Sequence, residues 1–177
     1  MKFPKVEEYS TYFKTYVNHL PEADPIELLE KTQAYSLSIL RQIPLDLTNY
    51  KYGVDKWSIK EVVLHMIDCE QILSYRALRF ARNDFQSALS FDENKYATAS
   101  NLEKVDWDYL LTSTELLRQF TLHSFKGFTE EEQDKGGSEA FPNTVRGVAA
   151  IIAGHQLHHT FVLQERYLKQ PVEAFKL

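Results

Sequence analysis

The sequence is poor in residues that end secondary structure and in residues that cross-link a chain. Six glycines and six prolines among 177 residues are about half of the usual share. So few turn formers favour long helices over many short strands. The single cysteine, Cys69, excludes an intrachain disulfide framework. Hydrophobic residues at 44% and charged residues at 25% exclude disorder as the main state.

The sequence also lacks a basic excess and a long apolar run. Its net charge of −5 argues against nucleic-acid binding, because proteins that bind nucleic acid usually present a basic face. The N-terminus has no apolar stretch typical of a signal peptide. The longest apolar run, residues 148–154, is far shorter than the roughly 20 residues that a bilayer requires. We therefore expect a cytoplasmic protein with no nucleic-acid or membrane partner.

Two helix starts can be read directly from the sequence. Asp24 precedes Pro25, an arrangement that places an N-cap residue before a proline at the first helical position. Ser58 and Glu61 match the capping box, in which the two side chains satisfy each other's free backbone N–H groups. Both patterns predict the first turn of a long amphipathic helix.

The apolar periodicity predicts four long helices and a short helix before them. The long helices are expected over residues 25–43, 58–82, 106–124 and 143–169, and the short helix over residues 6–19. The connections on either side of the third long helix are long for a helical bundle. We therefore predict one all-α domain over residues 1–177, a four-helix bundle with long connections around its third helix.

Two histidines of the last predicted helix, His155 and His159, are four residues apart. They lie about 40° apart around the helix axis, so both imidazoles can converge on one ion. Apolar residues share their stripe, and polar rings on such a buried face need a compensating partner, for which a metal ion is suited. His65 on the second long helix adds a third nitrogen. His158 also lies near His155, and spacing alone leaves it as an alternative ligand.

Other residues around His65 have competing interpretations. Asp68 is the candidate catalytic residue, acting as a general base, as an acceptor for a ligating histidine or as a group that holds water. The alternative for Asp68 is a solvated surface acid. Cys69 is interpreted as a small buried filler. His19 and His123 have no ligand-type neighbours in the sequence and are interpreted as surface residues.

Three arginines, Arg76, Arg79 and Arg82, recur every three residues towards the end of the second long helix. Guanidinium groups bind carboxylates and phosphates well. They are therefore candidates to bind an anionic substrate or the acids Asp92 and Glu93. A solvated helix face is the alternative for Arg82.

The chain resembles the DinB-like (DinB/YfiT-like) superfamily of bacterial four-helix-bundle proteins at a series of segments in the same order. These segments are residues 56–62 leading to His65 and Asp68, then residues 76–82, 91–96, 151–159 and 165–168. Together they span nearly the whole chain. The sequence departs from the family at Gln156, where the family often has glutamate, and over residues 86–90, where a turn with proline and glycine is usual. Gln156 cannot accept a proton, which excludes a metalloprotease of the zincin type.

The resemblance implies an up-down-down-up bundle whose metal ligands are one histidine on the second helix and an H-x-x-x-H pair on the last. These positions correspond to His65, His155 and His159, and not to His158. Some relatives resemble thiol transferases and others hydrolases, and related bundles often form homodimers. A small-molecule substrate is therefore expected, and a low-molecular-weight thiol is a candidate.

The three-histidine site predicts a divalent transition metal, since imidazole suits Zn²⁺, Ni²⁺, Fe²⁺, Cu²⁺ or Co²⁺ better than Ca²⁺ or Mg²⁺. Three protein ligands leave a position open for water or for a thiol. We therefore expect a metal-dependent enzyme that activates a thiol or water. The alternative is a metal-binding or ligand-binding bundle without catalysis, acting in a stress response.

Overall fold

The computed structural model describes residues 1–86, 90–137 and 142–177. Its α-helices, in chain order, are α1 (Lys14–Val17), α2 (Pro25–Leu40), α3 (Ile59–Ala81), α4 (Glu93–Ala99), α5 (Trp107–Lys126), α6 (Glu130–Asp134) and α7 (Val145–Val162). A π-helical turn, Leu163–Tyr167, continues α7. The four long helices confirm the predicted all-α class, and the long connections contain α4 and α6. Within these ranges, no helix is long and apolar enough to cross a bilayer.

The predicted helix starts are confirmed in atomic detail. The Asp24 carboxylate accepts a hydrogen bond of 2.8 Å from the backbone N–H of Ile26, and Pro25 opens α2. At α3, the Ser58 hydroxyl accepts from the backbone N–H of Glu61, and the Glu61 carboxylate accepts from that of Ser58 at 2.6 Å. Since the two caps fix where α2 and α3 begin, they also fix the register of the side chains that face the bundle interior.

Buried polar contacts show that α2 and α7 run parallel. The Gln156 amide nitrogen donates to the Gln33 amide oxygen at 2.6 Å. One turn further along both helices, the hydroxyl groups of Ser36 and Thr160 are 2.7 Å apart. The partners advance together along the two helices, so their directions are the same.

The other two long helices run in the opposite direction. The Tyr167 hydroxyl, just beyond the end of α7, donates to the Trp57 carbonyl, just before the start of α3. α3 and α7 are therefore antiparallel. Contacts from α2 to α5 pair Gln33 with Thr114 and the earlier Leu29 with the later Arg118, so these two helices are antiparallel as well. The four long helices α2, α3, α5 and α7 therefore run up, down, down and up, as the resemblance implied.

Two apolar clusters fill the bundle. One contains the first half of α7, from Val145 to Ala153, together with the last turns of α3. The other contains the first turns of α3, from Ile59 to Ile67, together with Leu163 and Tyr167 beyond α7. Residues 65–69 of α3 and 155–159 of α7 therefore lie at the level where one cluster gives way to the other.

The prediction of one short helix over residues 6–19 is wrong in its continuity. The chain forms two 3₁₀ turns, Val6–Glu8 and Thr11–Phe13, before α1 begins. The break has a tertiary cause: the Ser10 backbone N–H donates to the Asn143 side chain at 2.9 Å, and the Glu8 carbonyl accepts from the Thr144 N–H at 2.9 Å. These bonds hold Tyr9 and Ser10 in an extended conformation along the start of α7.

Candidate metal centre

Three imidazoles meet inside the bundle. The Nε2 atom of His155 lies 3.1 Å from Nε2 of His65 and 3.1 Å from Nε2 of His159. The His65 and His159 ring centroids are 4.8 Å apart. The spacing of four residues places His155 and His159 on one face of α7, and the antiparallel α3 brings His65 opposite them. The structure thus brings together the three histidines predicted as ligands.

Burial keeps these imidazoles neutral. It lowers the pKa of His65 to about 4, although the nearby charge of Glu93 acts in the opposite direction. The pKa values of His155 and His159 also lie well below the usual range, first because of burial and then because of the neighbouring histidines. At neutral pH the three rings therefore carry no charge, and each has a nitrogen lone pair to offer.

The nitrogen contacts fit a shared ion better than they fit hydrogen bonds. A neutral imidazole nitrogen is either a donor or an acceptor with a single lone pair. No choice of tautomers therefore turns both contacts of His155 Nε2 into full hydrogen bonds. Two nitrogens that each lie about 2.0–2.1 Å from one metal ion are at most about 4.2 Å apart. The separations of 3.1 Å meet this condition.

Cys69 is buried as predicted, but it does not merely fill apolar space. Its sulfur lies 3.6 Å from Nδ1 and 3.7 Å from Nε2 of His65. The ligand-type atoms of His65, Cys69 and His155 all lie within 4.8 Å of one another, so this group is able to hold a metal ion. Burial raises the pKa of the Cys69 thiol to about 12, and the charge of Asp68 adds to this effect. Without a metal the thiol is therefore protonated.

A cavity of about 450 Å³ opens beside the histidines. Five aromatic side chains contribute to its remaining wall, together with apolar, polar and charged ones: Tyr12, Phe13, Tyr16, Trp57 and Phe91, then Cys69, Leu73, Ser10, Ser90, Arg76 and Glu93. The Trp57 ring centroid is 4.8 Å from that of His65. The sequence pattern did not predict that Trp57 and Glu93 line this cavity. The volume suits a small molecule.

The N-terminal segment, residues 6–19, forms one side of this cavity. The Tyr16 ring lies edge-on to His155 and to His158, with centroid distances of 5.1 Å in both cases. This approach depends on Gly154, because a Cβ atom there would lie 2.4 Å from the Tyr16 carbonyl oxygen. Glycine at this position of α7 therefore lets α1 lie against the helix next to the histidines.

Asp68, the predicted catalytic residue, is not in the wall of the main cavity. It is half-buried and lines a small neighbouring cleft together with His65 and Glu93. Burial raises the pKa of its carboxyl group. The catalytic role of Asp68 stays a prediction.

The interpretation of His19 as an ordinary surface residue is wrong. His19 is half-buried, and its Nε2 atom lies 3.2 Å from Nδ1 of His158. The two rings are stacked. The cause is the fold of the N-terminal segment, which places His19, two residues after the end of α1, beside α7. His158 therefore faces His19, while His159 faces His155. His123 is exposed, as predicted.

The three arginines have separate environments. Arg79 forms a bidentate ion pair with Asp84, at 2.7 and 2.9 Å, and Arg82 pairs with Glu132. Arg76 is buried and lines the main cavity. Of the three, Arg76 alone is placed to contact a ligand there.

Among the described residues, Asp92 forms no ion pair with Arg79 or Arg82. Its carboxylate caps α4 by accepting hydrogen bonds from the backbone N–H groups of Asn94 and Lys95. The sequence departure from the family over residues 86–90 falls largely on residues 87–89, which lie outside the described residues.

Gln156, the other departure, faces away from the histidines towards α2. Its amide nitrogen donates to Gln33, while its amide oxygen is buried without a hydrogen-bond partner among the described residues. The side chain is therefore part of the interface between α2 and α7, and is not aimed at the candidate metal centre.

Fold and site together define a class: a four-helix bundle that carries a candidate metal centre in its interior, beside a cavity. The family model of the DinB superfamily matches residues 28–162, and the chain belongs to that superfamily. The family resemblance seen in the sequence is thereby confirmed. A search of curated proteins found no match.

A solved structure with the same fold is that of YfiT from Bacillus subtilis, described as a probable metal-dependent hydrolase with an unusual four-helix bundle topology. The two chains share 14% identity, and the match covers 96% of this chain and 95% of YfiT with a TM-score of 0.72. At this level of identity the likeness establishes the fold alone.

Proposed function

We propose that this protein is a divalent-metal-dependent enzyme of the hydrolase or thiol-transferase type that acts on a small molecule. The observation that carries the proposal is the meeting of the His65, His155 and His159 nitrogens beside a cavity of about 450 Å³. Neutral donors from two helices next to a cavity of this size are typical of a catalytic metal site in a bundle.

The proposed ligands are the three histidines, and Zn²⁺, Ni²⁺ or Fe²⁺ fits them best because imidazole binds these ions well. A divalent ion held in this way lowers the pKa of a bound water or thiol towards neutrality. The chain itself determines the positions and the charge of the histidine rings. α3 and α7 hold the rings in place, and burial keeps them neutral.

The cavity wall points to the type of substrate. Tyr16 and Trp57 lie against the histidine rings. Their faces, with those of Phe13 and Phe91, suit a flat or apolar group, while Arg76 offers a buried cation to an anionic one. A low-molecular-weight thiol or a small ester fits such a cavity in chemistry and in size.

We propose Asp68 as the group that accepts or holds a proton near His65. Its half-buried position and raised pKa support this role. Asp68→Asn keeps the size of the side chain and removes the proton acceptor. We expect this variant to retain its metal content and to lose turnover by about 10²-fold or more. Unchanged turnover would remove Asp68 from the mechanism.

Metal analysis of the purified, untagged protein tests the centre directly. His65→Ala and His159→Ala should each reduce the bound metal sharply, because each removes one of three donors. His123→Ala is the matched control, since this histidine is exposed on α5. If both site variants keep the metal content of the wild type, the ligand assignment is wrong.

Turnover separates an enzyme from a metal-binding bundle without catalysis. The metal-loaded protein is incubated with monochlorobimane and a panel of thiols, and in parallel with a panel of small esters. Metal-dependent thiol conjugation supports a transferase, and metal-dependent ester cleavage supports a hydrolase. Absence of turnover across both panels by a metal-loaded protein favours the binding alternative. The single domain, the homodimer and the cytoplasmic location stay predictions.

A further inference from the structure

Each of the two helices at the centre presents a pair of ligand-type residues four positions apart. On α7 the pair is His155 and His159, and on α3 it is His65 and Cys69. In both pairs the spacing places the side chains on one face, one turn apart. Because α3 and α7 are antiparallel neighbours, the two pairs face each other. Paired side chains on facing helices are how metal sites are built inside helical bundles.

The sulfur of Cys69 is within reach of an ion bound by His65. A sulfur at about 2.3 Å and a nitrogen at about 2.0–2.1 Å from one zinc ion are at most about 4.4 Å apart. The distances from Cys69 Sγ to the two ring nitrogens of His65 are 3.6 and 3.7 Å. His155 offers a nitrogen within 4.8 Å of both residues. The side chain is 7% exposed and lines the cavity at the histidines.

We propose that Cys69 is a fourth ligand of the metal centre, so that the resting site binds its ion through three imidazoles and one thiolate. This inference rests on the metal site of the proposed function. On binding, the thiol proton passes to solvent and a sulfur–metal bond forms, with no change of oxidation state. A fourth protein ligand fills the position that three histidines would leave open. Cys69 would then limit the access of a water or thiol ligand to the ion.

A sulfur ligand would change which metal ions the site prefers. Thiolate is a soft ligand and favours Zn²⁺, Co²⁺ or Fe²⁺ over Mn²⁺ or Mg²⁺. The sequence-based interpretation of Cys69 as a filler predicts no such preference beyond that of imidazole. The two interpretations therefore differ in a property that spectroscopy measures without any substrate.

The test uses the full-length protein loaded with Co²⁺. A sulfur ligand gives an intense charge-transfer band in the near ultraviolet, which histidine ligands alone do not give. We expect this band in the wild type and its loss in Cys69→Ser and Cys69→Val, both of which should keep the visible bands of histidine-bound Co²⁺. X-ray absorption of the Zn²⁺ form should show a sulfur scatterer at about 2.3 Å.

Cys69→Val is the matched control for the filler interpretation, because it keeps an apolar side chain of similar size. We expect it to fold, as judged by circular dichroism, and to bind Zn²⁺ at least tenfold more weakly in competition with a chelating dye. If Zn²⁺ affinity is unchanged and the wild type lacks the sulfur band, Cys69 is not a ligand, while the three-histidine site stands. If neither Co²⁺ nor Zn²⁺ binds the wild type, both proposals fail.

Discussion

Arg118 illustrates how a single charged residue is held in the core of this bundle. It is 1% exposed, and its guanidinium makes two hydrogen bonds of 2.8 Å to the carboxylate of the buried Glu70. A third hydrogen bond, of 2.7 Å, reaches the Leu29 carbonyl. The side chain therefore ties α5 to α3 and α2 at once. Nothing in the local sequence distinguishes Arg118 from a solvated arginine, because its partners come from two distant helices.

Removing one member of this pair leaves the other charged and buried. We expect Arg118→Met to lower the free energy of unfolding by about 3–5 kcal/mol, since the Glu70 carboxylate then has no compensating partner. Arg41→Met is the control, because Arg41 pairs with Glu115 at the surface, where such pairs contribute less than about 1 kcal/mol. Urea unfolding followed by circular dichroism measures both. Equal, small effects would show that Arg118 is not buried as described.

At the scale of elements, the N-terminal segment depends on small and polar residues of α7. Gly147 and Gly154 lie seven residues apart on one face of that helix, and a Cβ atom at either would lie within 2.4 Å of a carbonyl oxygen of the segment. The segment in turn places Tyr16 against His155. The attachment of one element to another therefore shapes the cavity wall.

Gly154→Ala separates helix propensity from this close approach. On propensity alone, alanine in a helix interior would stabilise the protein by about 1 kcal/mol. We expect the opposite sign here, because the new methyl group has to displace the backbone of Tyr16. The unfolding free energies of Gly154→Ala and of the control Gly53→Ala decide the matter. At Gly53 the neighbour that a Cβ atom would meet among the described residues is the flexible Lys56 side chain, so little change is expected. A stabilised Gly154→Ala would contradict the close packing.

An ion pair fastens the same segment and makes its attachment depend on pH. Burial raises the pKa of Glu8, but hydrogen bonds from Arg146, at 2.7 Å, and from the Lys5 backbone outweigh it and lower the pKa overall. A lowered pKa means that the stabilisation is complete above the unfolded value of about 4.3 and is lost as the pH falls through the folded value. We expect wild type to exceed Glu8→Gln in stability by about 1 kcal/mol at pH 7, with the difference vanishing in acid. A difference that is independent of pH would exclude this linkage.

The sequence predicts those features of the elements that depend on neighbouring residues, and not those that depend on distant ones. Caps are local, so Ser58 and Glu61 predicted the start of α3 correctly. The spacing of His155 and His159 is local as well, and it predicted the pair. The break at Ser10 arises from a bond to the distant Asn143, which no local pattern reveals. The spacing of His65 and Cys69 is local too, but a role of Cys69 as a metal ligand depends on the histidines that α7 places opposite it.

At the scale of the whole molecule, the candidate centre joins the two halves of the core. His65 lies near the end of one cluster on α3, and His155 and His159 lie near the end of the other cluster on α7. The polar rings interrupt the apolar packing at this level, and without a metal ion their burial is poorly compensated. An ion bound by both helices would therefore stabilise the complete bundle.

A ligand that binds the folded protein and not the unfolded chain raises stability by mass action. At a free Zn²⁺ concentration 100 times the dissociation constant, we expect the free energy of unfolding to rise by about 2.7 kcal/mol. The melting temperature should increase with further Zn²⁺ and fall to the metal-free value on adding a chelator. In His65→Ala this dependence should nearly disappear, because α3 then contributes no imidazole, whereas the exposed-site control His123→Ala should behave like the wild type. A melting temperature insensitive to Zn²⁺ in the wild type would mean that the rings meet without binding an ion, since any ion that linked α3 to α7 only in the folded state would have to shift the unfolding equilibrium.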